Sequence, residues 1–322
     1  MVSLSARAVK PGMEISVVAT LYRSAGCLGE FYRRVKAETE RLTAEYEIVL
    51  VNDGSPDESL QVALALQRED HRLKLIDLSR NFGHHKAMMT GLAHSRGRRV
   101  FLIDTDLEEP PELLRELHAT LEAEGADAVY GVQESRKGGL FERWSGALFF
   151  HTFNLLSSHP LPRNLTTVRL MTRRYVDALV AHGEREMVIG GLWVITGFKQ
   201  VPLAITKGSR RGSSYGLARK VAHAVNAVTS FSDRPLVFVF YMGLGISLLA
   251  ALAASYLIVR RLFFGVLLSG WPSLIVSVWL LGGLTLFSVG IVGIYVSKVF
   301  IETKQRPYTI VRAIYEREPG PK

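Results

Sequence analysis

Residues 101–112 read FLIDTDLEEPPE, and this stretch decides how the rest of the chain is interpreted. An apolar run ends at two carboxylates, Asp104 and Asp106, and a Pro-Pro pair and a helix-like segment follow. The carboxyl end of a strand in a parallel sheet opens onto the crevice where α/β proteins bind ligands. Carboxylates at that end offer hard oxygen ligands to a divalent cation. The same residues could instead cap the helix that begins near Pro110, so their spacing leaves two interpretations open.

The composition favours a membrane-associated protein over a nucleic-acid-binding one. The chain has 322 residues, a formal net charge of +9 and 48% hydrophobic residues. No basic-aromatic nucleic-acid motif is present, so no nucleic-acid partner is expected. The one cysteine, Cys27, excludes an intramolecular disulfide framework and any multi-cysteine metal site. The first residues lack an apolar signal core, so we expect the amino-terminal part in the cytosol.

Five apolar, β-branched runs alternate with helix-like segments over the first part of the chain. The predicted strands are residues 14–21, 46–51, 73–78, 99–103 and 127–132. The predicted helices are residues 28–42, 57–68, 84–95 and 111–124. Strands that alternate with helices of this length predict an α/β domain with a parallel sheet covered on both faces.

Polar residues follow the strands where their carboxyl ends meet at one sheet edge. They include three carboxylates and an arginine: Thr20, Tyr22, Asn52, Asp53, Arg80, Asp104 and Asp106. Neither a Walker lysine motif nor a glycine-rich dinucleotide fingerprint accompanies them. The pattern therefore favours a nucleotide held through carboxylates and a metal ion.

Four segments occur in the order and spacing of glycosyltransferase family 2. They are EISVVATLYRSAG, IVLVNDGSPDES, LIDLSRNFGHHKAMMTGL and FLIDTDLEEPPELL. The last resembles the metal-binding DxD motif of that family. More narrowly, residues 13–310 resemble the polyprenyl-phosphate glycosyltransferases, the group of dolichol-phosphate mannose synthase and bactoprenol glucosyltransferase. The resemblance implies a nucleotide-sugar-binding domain of GT-A type with a mostly parallel sheet, followed by interface helices and two transmembrane helices.

The resemblance also implies roles for the residues at the sheet edge. Asp53 would contact the base or ribose of the nucleotide, with Thr20, Tyr22 and Arg80 near the same nucleotide. Asp104 would lie against the ribose and diphosphate, and Asp106 would hold Mg²⁺ or Mn²⁺. Two alternatives stay open from the residues alone. Asp53 could be a turn residue in Asn-Asp-Gly-Ser, and His84 and His85 could either ligate metal or begin a helix after Gly83.

The segment 164–174 resembles the Gly-Asp-Phe-Arg-Leu segment of the family but carries Thr167 where an acidic residue, often proposed as the base, is usual. A phosphate acceptor is already ionised near pH 7 and needs little deprotonation, so this difference favours such an acceptor. Arg169 of this segment, with Lys207, Arg210 and Arg211, is assigned to the acceptor phosphate, and Arg210 and Arg211 are also assigned catalytic roles. Alternatively, the basic residues at 207–211 meet anionic lipid head groups.

Three further segments lie before the C-terminal part. Residues 139–157 have helical spacing rich in aromatic residues, which suits either the core or a helix in the membrane interface. Residues 190–198 form a small, turn-rich apolar segment that resembles the acceptor-side region of the family. Residues 217–231 predict a second amphipathic helix.

Two long uncharged runs near the C-terminus predict membrane-spanning helices. Residues 235–259 and 273–296 carry no charged side chain, and each run is long enough for a helix to cross about 30 Å of hydrocarbon. The distribution of Lys and Arg around them places both termini in the cytosol. Glycines in both runs would allow close packing of helices, within one subunit or in a homo-oligomer.

The predicted domains are residues 1–135 for nucleotide-sugar binding, 136–234 for the acceptor side, 235–297 for the two spans, and 298–322 for a cytosolic tail. The predicted protein is a multi-pass glycosyltransferase of the plasma (inner) membrane with a cytosolic catalytic domain. It would move a sugar from a nucleotide-diphosphate sugar, with a UDP-sugar expected, to polyprenyl (undecaprenyl) phosphate, with inversion and with Mg²⁺ or Mn²⁺. The alternatives are another lipid or glycan acceptor, or an inactive membrane scaffold that binds nucleotide-sugars. A processive polysaccharide synthase is disfavoured because the chain lacks a Gln-x-x-Arg-Trp motif.

Overall fold

The computed structural model describes residues 12–133, 164–185, 189–206, 234–264 and 270–317. The chain divides into two compact units. The first comprises residues 1–150, 159–216 and 306–322, and the second comprises residues 151–158 and 217–305. The predicted amphipathic helices at 139–157 and 217–231, and the predicted site residues Lys207, Arg210 and Arg211, lie outside the described residues.

The first unit is built on an eight-stranded sheet of order β7-β5-β6-β4-β1-β2-β3-β8. Its strands are β1 (Ile15–Leu21), β2 (Tyr46–Asn52), β3 (Leu73–Leu78), β4 (Arg99–Leu102), β5 (Ala128–Gln133), β6 (Leu165–Thr172), β7 (Gln200–Ile205) and β8 (Val311–Tyr315). Strands β4, β1, β2 and β3 are mutually parallel, β5 pairs in parallel with β7, and β6 and β8 run antiparallel to their neighbours. The predicted α/β class and mostly parallel sheet are therefore confirmed.

Helices cover both faces of this sheet. They are α1 (Ala25–Glu40), α2 (Ser59–Glu69), α3 (His84–His94), α4 (Leu113–Glu124), α5 (Arg173–Ala181) and α6 (Ile189–Ile195). The main core joins α1 and α4 to one face through residues such as Val17 and Leu50. Because side chains alternate along a strand, Val18 and Val51 point to the other face, where Gly91 of α3 lies against them. The glycine-rich segment 190–198, predicted to be turns, instead contains helix α6.

The C-terminal strand β8 belongs to the first unit and pairs antiparallel with β3 at the edge of the sheet. Glu316, just after this strand, contacts Lys74 Nζ at 3.3 Å and Arg96 Nη2 at 2.6 Å. Lys74 is only 1% exposed, and a buried ammonium needs such a partner. Within the predicted tail 298–322, residues 311–315 therefore form a strand of the sheet, and residues 298–303 are the end of the preceding helix. Strand β8 has only five residues, which is too few for a sequence pattern to predict it.

The second unit contains two long helices, α7 (Arg234–Phe264) and α8 (Trp271–Thr303), which contact each other. Both are long and apolar enough to cross a membrane by length and composition. Large apolar side chains along them are exposed, for example Phe240 at 65% and Trp279 at 78%. Contiguous apolar surface of this kind marks contact with lipid or with another protein.

We expect Gly91→Ala to destabilise the first unit by loosening α3 from the sheet. An added Cβ at Gly91 would lie 2.5 Å from Val18 Cγ1, and the buried, β-branched valine has little freedom to move. Overpacking of this kind costs about 1–3 kcal/mol. The matched control is Gly29→Ala in α1, where a Cβ meets nothing within 4 Å. Thermal unfolding in detergent should show a lower midpoint for Gly91→Ala and an equal or higher one for Gly29→Ala. Equal midpoints for wild type and Gly91→Ala would contradict the tight packing of α3.

Candidate active site

The candidate active site lies at the sheet edge where β1, β2 and β4 end. Parallel pairing aligns these strands, with Leu21 opposite Asn52 and Val18 opposite Leu102. The loops that follow remain tied to β1: the Asp53 amide donates to the Leu21 carbonyl at 3.1 Å. The hydroxyl of Thr105 donates to the Thr20 carbonyl at 3.0 Å. The predicted convergence of the β1, β2 and β4 loops is thus present in the structure.

Asp53 joins the loop after β2 to the loop after β3. Its carboxylate accepts hydrogen bonds from the amides of Phe82, at 2.7 Å, and Gly83, at 3.0 Å. Burial raises the pKa of Asp53, and the two amide bonds and nearby His84 and Arg80 offset that effect only in part. Because both of its oxygens bind the neighbouring loop, Asp53 is not simply a turn residue. Asn52 fills the turn role, since its side-chain oxygen accepts from the Ser55 amide at 3.2 Å.

Gly54 permits this close approach of the two loops. Its φ angle is +58°, in the left-handed region that glycine adopts easily. A Cβ at this position would collide with the backbone of Arg80 and Asn81. The Asn-Asp-Gly-Ser sequence therefore serves two purposes, since Asp53 holds the facing loop and Gly54 makes room for it.

His84 links the start of α3 to the carboxylates after β4. Its Nε2 atom lies 3.2 Å from Asp104 Oδ1, and its Nδ1 atom lies 3.0 Å from the hydroxyl oxygen of Thr20. Burial lowers the pKa of His84, but the hydrogen bond to Asp104 and the charges of Asp104, Asp53 and Asp106 outweigh it and raise the pKa above 6.5. His84 is also the first residue of α3, as one of the two open interpretations predicted. Both ring nitrogens are occupied by protein groups, which disfavours the metal-ligand alternative.

Asp104 and Asp106 do not cap the following helix. Helix α4 begins at Leu113 with Glu112 at its N-cap, several residues beyond Asp106. Asp106 instead accepts a hydrogen bond from the Glu108 amide at 3.0 Å, and Leu107 between them has a φ angle of +60°. Such left-handed backbone in a bulky residue is costly and is often found at functional sites. The helix-cap interpretation is therefore wrong.

The described residues fit a shared rather than a fully protein-bound cation. No group of three or more His, Cys, Asp and Glu side chains among them could hold a metal ion. Mg²⁺ commonly binds proteins through one or two carboxylates and takes its other ligands from water and substrate phosphates. Asp104 and Asp106, both half-buried at the strand end, supply a donor set of that kind.

Tyr22 and Arg80 lie on the exposed side of the same loops. Tyr22 is 48% exposed, and the guanidinium of Arg23 lies 5.7 Å from its ring centroid. Arg80 is exposed, stacks over Phe82 at 4.0 Å from the ring centroid, and donates to the Asn81 carbonyl. An exposed ring and an exposed guanidinium beside buried carboxylates are available to a planar, anionic ligand.

Thr167 lies on β6 at the same sheet edge as Asp104. In the antiparallel pairing of β4 with β6, Leu102 stands opposite Arg169. Continuing that register by two residues places Thr167 opposite Asp104. The amide of the neighbouring Val168 donates to Glu109 at 3.0 Å, which joins the 101–112 stretch to β6.

Arg169, which was predicted to bind the acceptor phosphate, is a buried residue of β6. It is 0% exposed, and it donates to the carbonyls of Thr167 and Thr166, both at 3.2 Å. Its guanidinium carbon lies 2.9 Å from the ring centroid of Trp193 in α6. Burial lowers the pKa of Arg169 to about 9. In this arrangement Arg169 braces the backbone around Thr167.

A cavity of about 230 Å³ borders this stacked pair. Its lining is mainly apolar and aromatic and includes Tyr130, Leu165, Arg169, Trp193, Phe198 and Gln200. The indole nitrogen of Trp193 is buried and has no hydrogen-bond partner among the described residues. The sequence suggested an apolar acceptor-side segment at 190–198 but not this stacking, because residues 169 and 193 meet only through the tertiary fold.

Several known proteins are similar to this chain. The model for glycosyl transferase family 2 matches residues 16–180. A Mycobacterium tuberculosis protein named as a glycosyltransferase is 53% identical over 313 residues, which cover 96% of this chain and 92% of that protein. A prophage bactoprenol glucosyl transferase homologue of Escherichia coli is 31% identical over 305 residues, covering 94% of this chain and 99% of that protein.

Among solved structures, mannosyl-3-phosphoglycerate synthase from Rubrobacter xylanophilus aligns with a TM-score of 0.47 and 20% identity. That alignment covers 68% of this chain and 74% of the other. The family model and the relatives that match along nearly the whole chain establish the family: this chain belongs to glycosyl transferase family 2.

Proposed function

We propose that this glycosyltransferase moves one sugar from a nucleotide-diphosphate sugar to polyprenyl (undecaprenyl) phosphate at a membrane surface. The observation that carries the proposal is the convergence of Asp53, Asp104 and Asp106 at one sheet edge, in a chain that continues into two long apolar helices. The first feature suits a nucleotide-sugar donor, and the second suits a lipid acceptor.

The donor nucleotide is assigned to the loops around Asp53. The base or ribose would lie near Thr20, Tyr22 and Asp53, and Arg80 would face the same nucleotide. The rigid Asp53–Phe82–Gly83 connection supports this assignment, because a preorganised site loses less entropy when it binds a ligand. A UDP-sugar is the expected donor.

Asp104 and Asp106 are assigned to the ribose, the diphosphate and a divalent cation. Asp106 would hold Mg²⁺ or Mn²⁺, and Asp104 would keep its position through its contact with His84. When bound, the cation neutralises negative charge on the departing diphosphate. The small protein donor set is the support for sharing the cation with the donor.

The acceptor is assigned from the chemistry of β6. A sugar hydroxyl must lose a proton to attack, whereas a phosphate monoester, with a second pKa of about 6, is already ionised at pH 7. Thr167 in place of an acidic residue therefore suits a phosphate acceptor. The name of the Escherichia coli relative refers to bactoprenol, which supports a polyprenyl acceptor for this chain as well. Lys207, Arg210 and Arg211 keep their proposed role at the acceptor phosphate, and Arg210 and Arg211 their proposed catalytic role.

The reaction is a single inverting displacement. An oxygen of the acceptor phosphate forms a bond to the anomeric carbon, and the bond from that carbon to the diphosphate breaks with its electron pair. The products are the nucleoside diphosphate and a sugar joined to the lipid through one phosphate. In this step Asp53 and Asp104 hold the donor, and Thr20 and His84 hold Asp104 in position.

A membrane location follows from the acceptor and from α7 and α8. We assign both helices as spans of the plasma (inner) membrane, with the catalytic unit and both termini in the cytosol. The exposed apolar side chains of α7 and α8 support this assignment, because apolar side chains are more stable in the hydrocarbon of a membrane than in water.

We expect Asp106→Ala to abolish turnover while leaving the fold intact. The side chain of Asp106 bonds to a loop amide and is not part of the hydrophobic core of the described residues, so its loss should remove charge at the site and not stability. The measurement is release of nucleoside diphosphate from donor sugars by purified protein with undecaprenyl phosphate. Activity should fall by at least 100-fold, and chelation of divalent cations should have the same effect on wild type. The control is Glu116→Gln, an exposed carboxylate on α4, which should leave the rate unchanged. A folded Asp106→Ala protein with near-normal turnover would remove Asp106 from the metal role.

We expect Asp53→Asn to weaken nucleotide binding. An asparagine accepts through one oxygen only, so one of the two amides of Phe82 and Gly83 would lose its partner. Losing one of these bonds costs the ordered loop about 1–3 kcal/mol, and if the nucleotide must restore that order on binding, Kd for UDP rises roughly 5- to 150-fold. Calorimetry with UDP measures this, with Glu58→Gln, an exposed carboxylate at the start of α2, as the control. Unchanged affinity in a folded Asp53→Asn protein would contradict the donor assignment.

A further inference from the structure

The C-terminal strand β8 passes directly behind the loop that faces Asp53. The carbonyl of Ile310 accepts from the Ser79 amide at 2.9 Å, and Nη2 of Arg312 donates to the Ser79 carbonyl at 2.6 Å. The segment that follows α8 therefore bonds to both the amide and the carbonyl of Ser79. The residues immediately after Ser79 form the loop whose amides bind Asp53.

A second connection runs from Arg312 through the interior of the sheet. Nη1 of Arg312 lies 3.3 Å from Asp77 Oδ2, and the other oxygen of Asp77 accepts from the side-chain nitrogen of Asn52 at 2.7 Å. Asn52 in turn accepts from the Ser55 amide at 3.2 Å. One chain of hydrogen bonds therefore leads from Arg312 to the Asn-Asp-Gly-Ser turn.

Arg312 compensates the charge of the buried carboxylate of Asp77. The side chain of Asp77 is 2% exposed, and among the described residues Arg312 is the cation within 4 Å of it. A buried carboxylate that loses its cation keeps an uncompensated charge, so the side chain must move toward solvent or draw in water. Either change would alter the bond from Asp77 to Asn52, and with it the turn that presents Asp53.

We propose that Arg312 is a positioning residue for the donor nucleotide, contributed by the chain after the second long helix. This inference rests on the proposed function, because it assigns the loops around Asp53 to the donor. Arg312 does not touch the nucleotide. It fixes the two loops that contact the nucleotide, because Nη1 of its guanidinium binds Asp77 and Nη2 binds the Ser79 carbonyl. The binding of donor, and not the rate at saturation or the affinity for acceptor, depends on it.

The test compares full-length Arg312→Gln with Arg317→Gln in detergent. Arg317 lies in the same tail and donates only to the Arg68 carbonyl among the described residues, so it is a matched control. Calorimetry with UDP, GDP and TDP identifies the nucleotide that wild type binds. For that nucleotide Arg312→Gln should raise Kd on the order of 10-fold, and Arg317→Gln should not change it. In the transfer assay KM for the donor should rise while kcat and KM for undecaprenyl phosphate stay within about twofold.

Two further variants separate positioning from stability. Arg312→Lys keeps the charge but cannot reach both Asp77 and Ser79 with a planar fork, so it should restore only part of the affinity. If Arg312→Gln does not fold, this variant provides the test. In an Asp77→Asn background, replacing Arg312 with Gln should weaken nucleotide binding less than it does in wild type, because the buried charge is gone.

The outcomes distinguish this inference from the proposed function. Wild type that binds none of the three nucleotides would overturn both. Wild type that binds one of them, with Arg312→Gln and Arg317→Gln equally tight, would overturn the positioning role and leave the proposed function standing. Parallel losses of thermal stability, donor affinity and acceptor affinity in Arg312→Gln would also overturn it, since they indicate a general structural role.

Discussion

Two backbone hydrogen bonds to the carboxylate of Asp53 organise the candidate active site. They fasten the loop after β3 to the end of β2, and the glycine that follows, Gly54, allows the two backbones to touch. This connection fixes the entry to α3, and the first residue of α3, His84, reaches across to Asp104. The carboxylates of β2 and β4 are thereby set in one rigid frame. The donor site assigned here depends on that frame more than on any single contact with a ligand.

Residues far away in the sequence also stabilise the strands that carry these loops. Arg312 on the edge strand β8 forms an ion pair with the buried Asp77, and Glu316 just after β8 forms one with the buried Lys74. Each pair compensates a charge that would be costly to leave alone in the interior. The chain therefore passes through the two long helices and then returns to complete the sheet. On this account the catalytic unit needs the end of the chain in order to be fully built.

Much of the fold could be predicted from local pattern. The β-branched runs ended within a residue or so of the observed strands, and the rule that parallel strand ends meet at one edge brought together Thr20, Asp53 and Asp104. Strand β8 could not be predicted, because its five residues, VRAIY, do not alternate between apolar and polar side chains. The burial of Arg169 was also hidden, since its partner Trp193 is brought to it only by the packing of α6. His84 stayed ambiguous until the tertiary fold placed Asp104 beside it.

The proposed reaction transfers the sugar to a polyprenyl phosphate. The most direct measurement is the mass of the lipid formed when purified protein, undecaprenyl phosphate, a divalent cation and a panel of isotopically labelled nucleotide-sugars are combined. We expect a lipid heavier by one labelled sugar unit, joined through a single phosphate, with one donor of the panel. A labelled product on another lipid or glycan, with undecaprenyl phosphate unchanged for every donor, would contradict it.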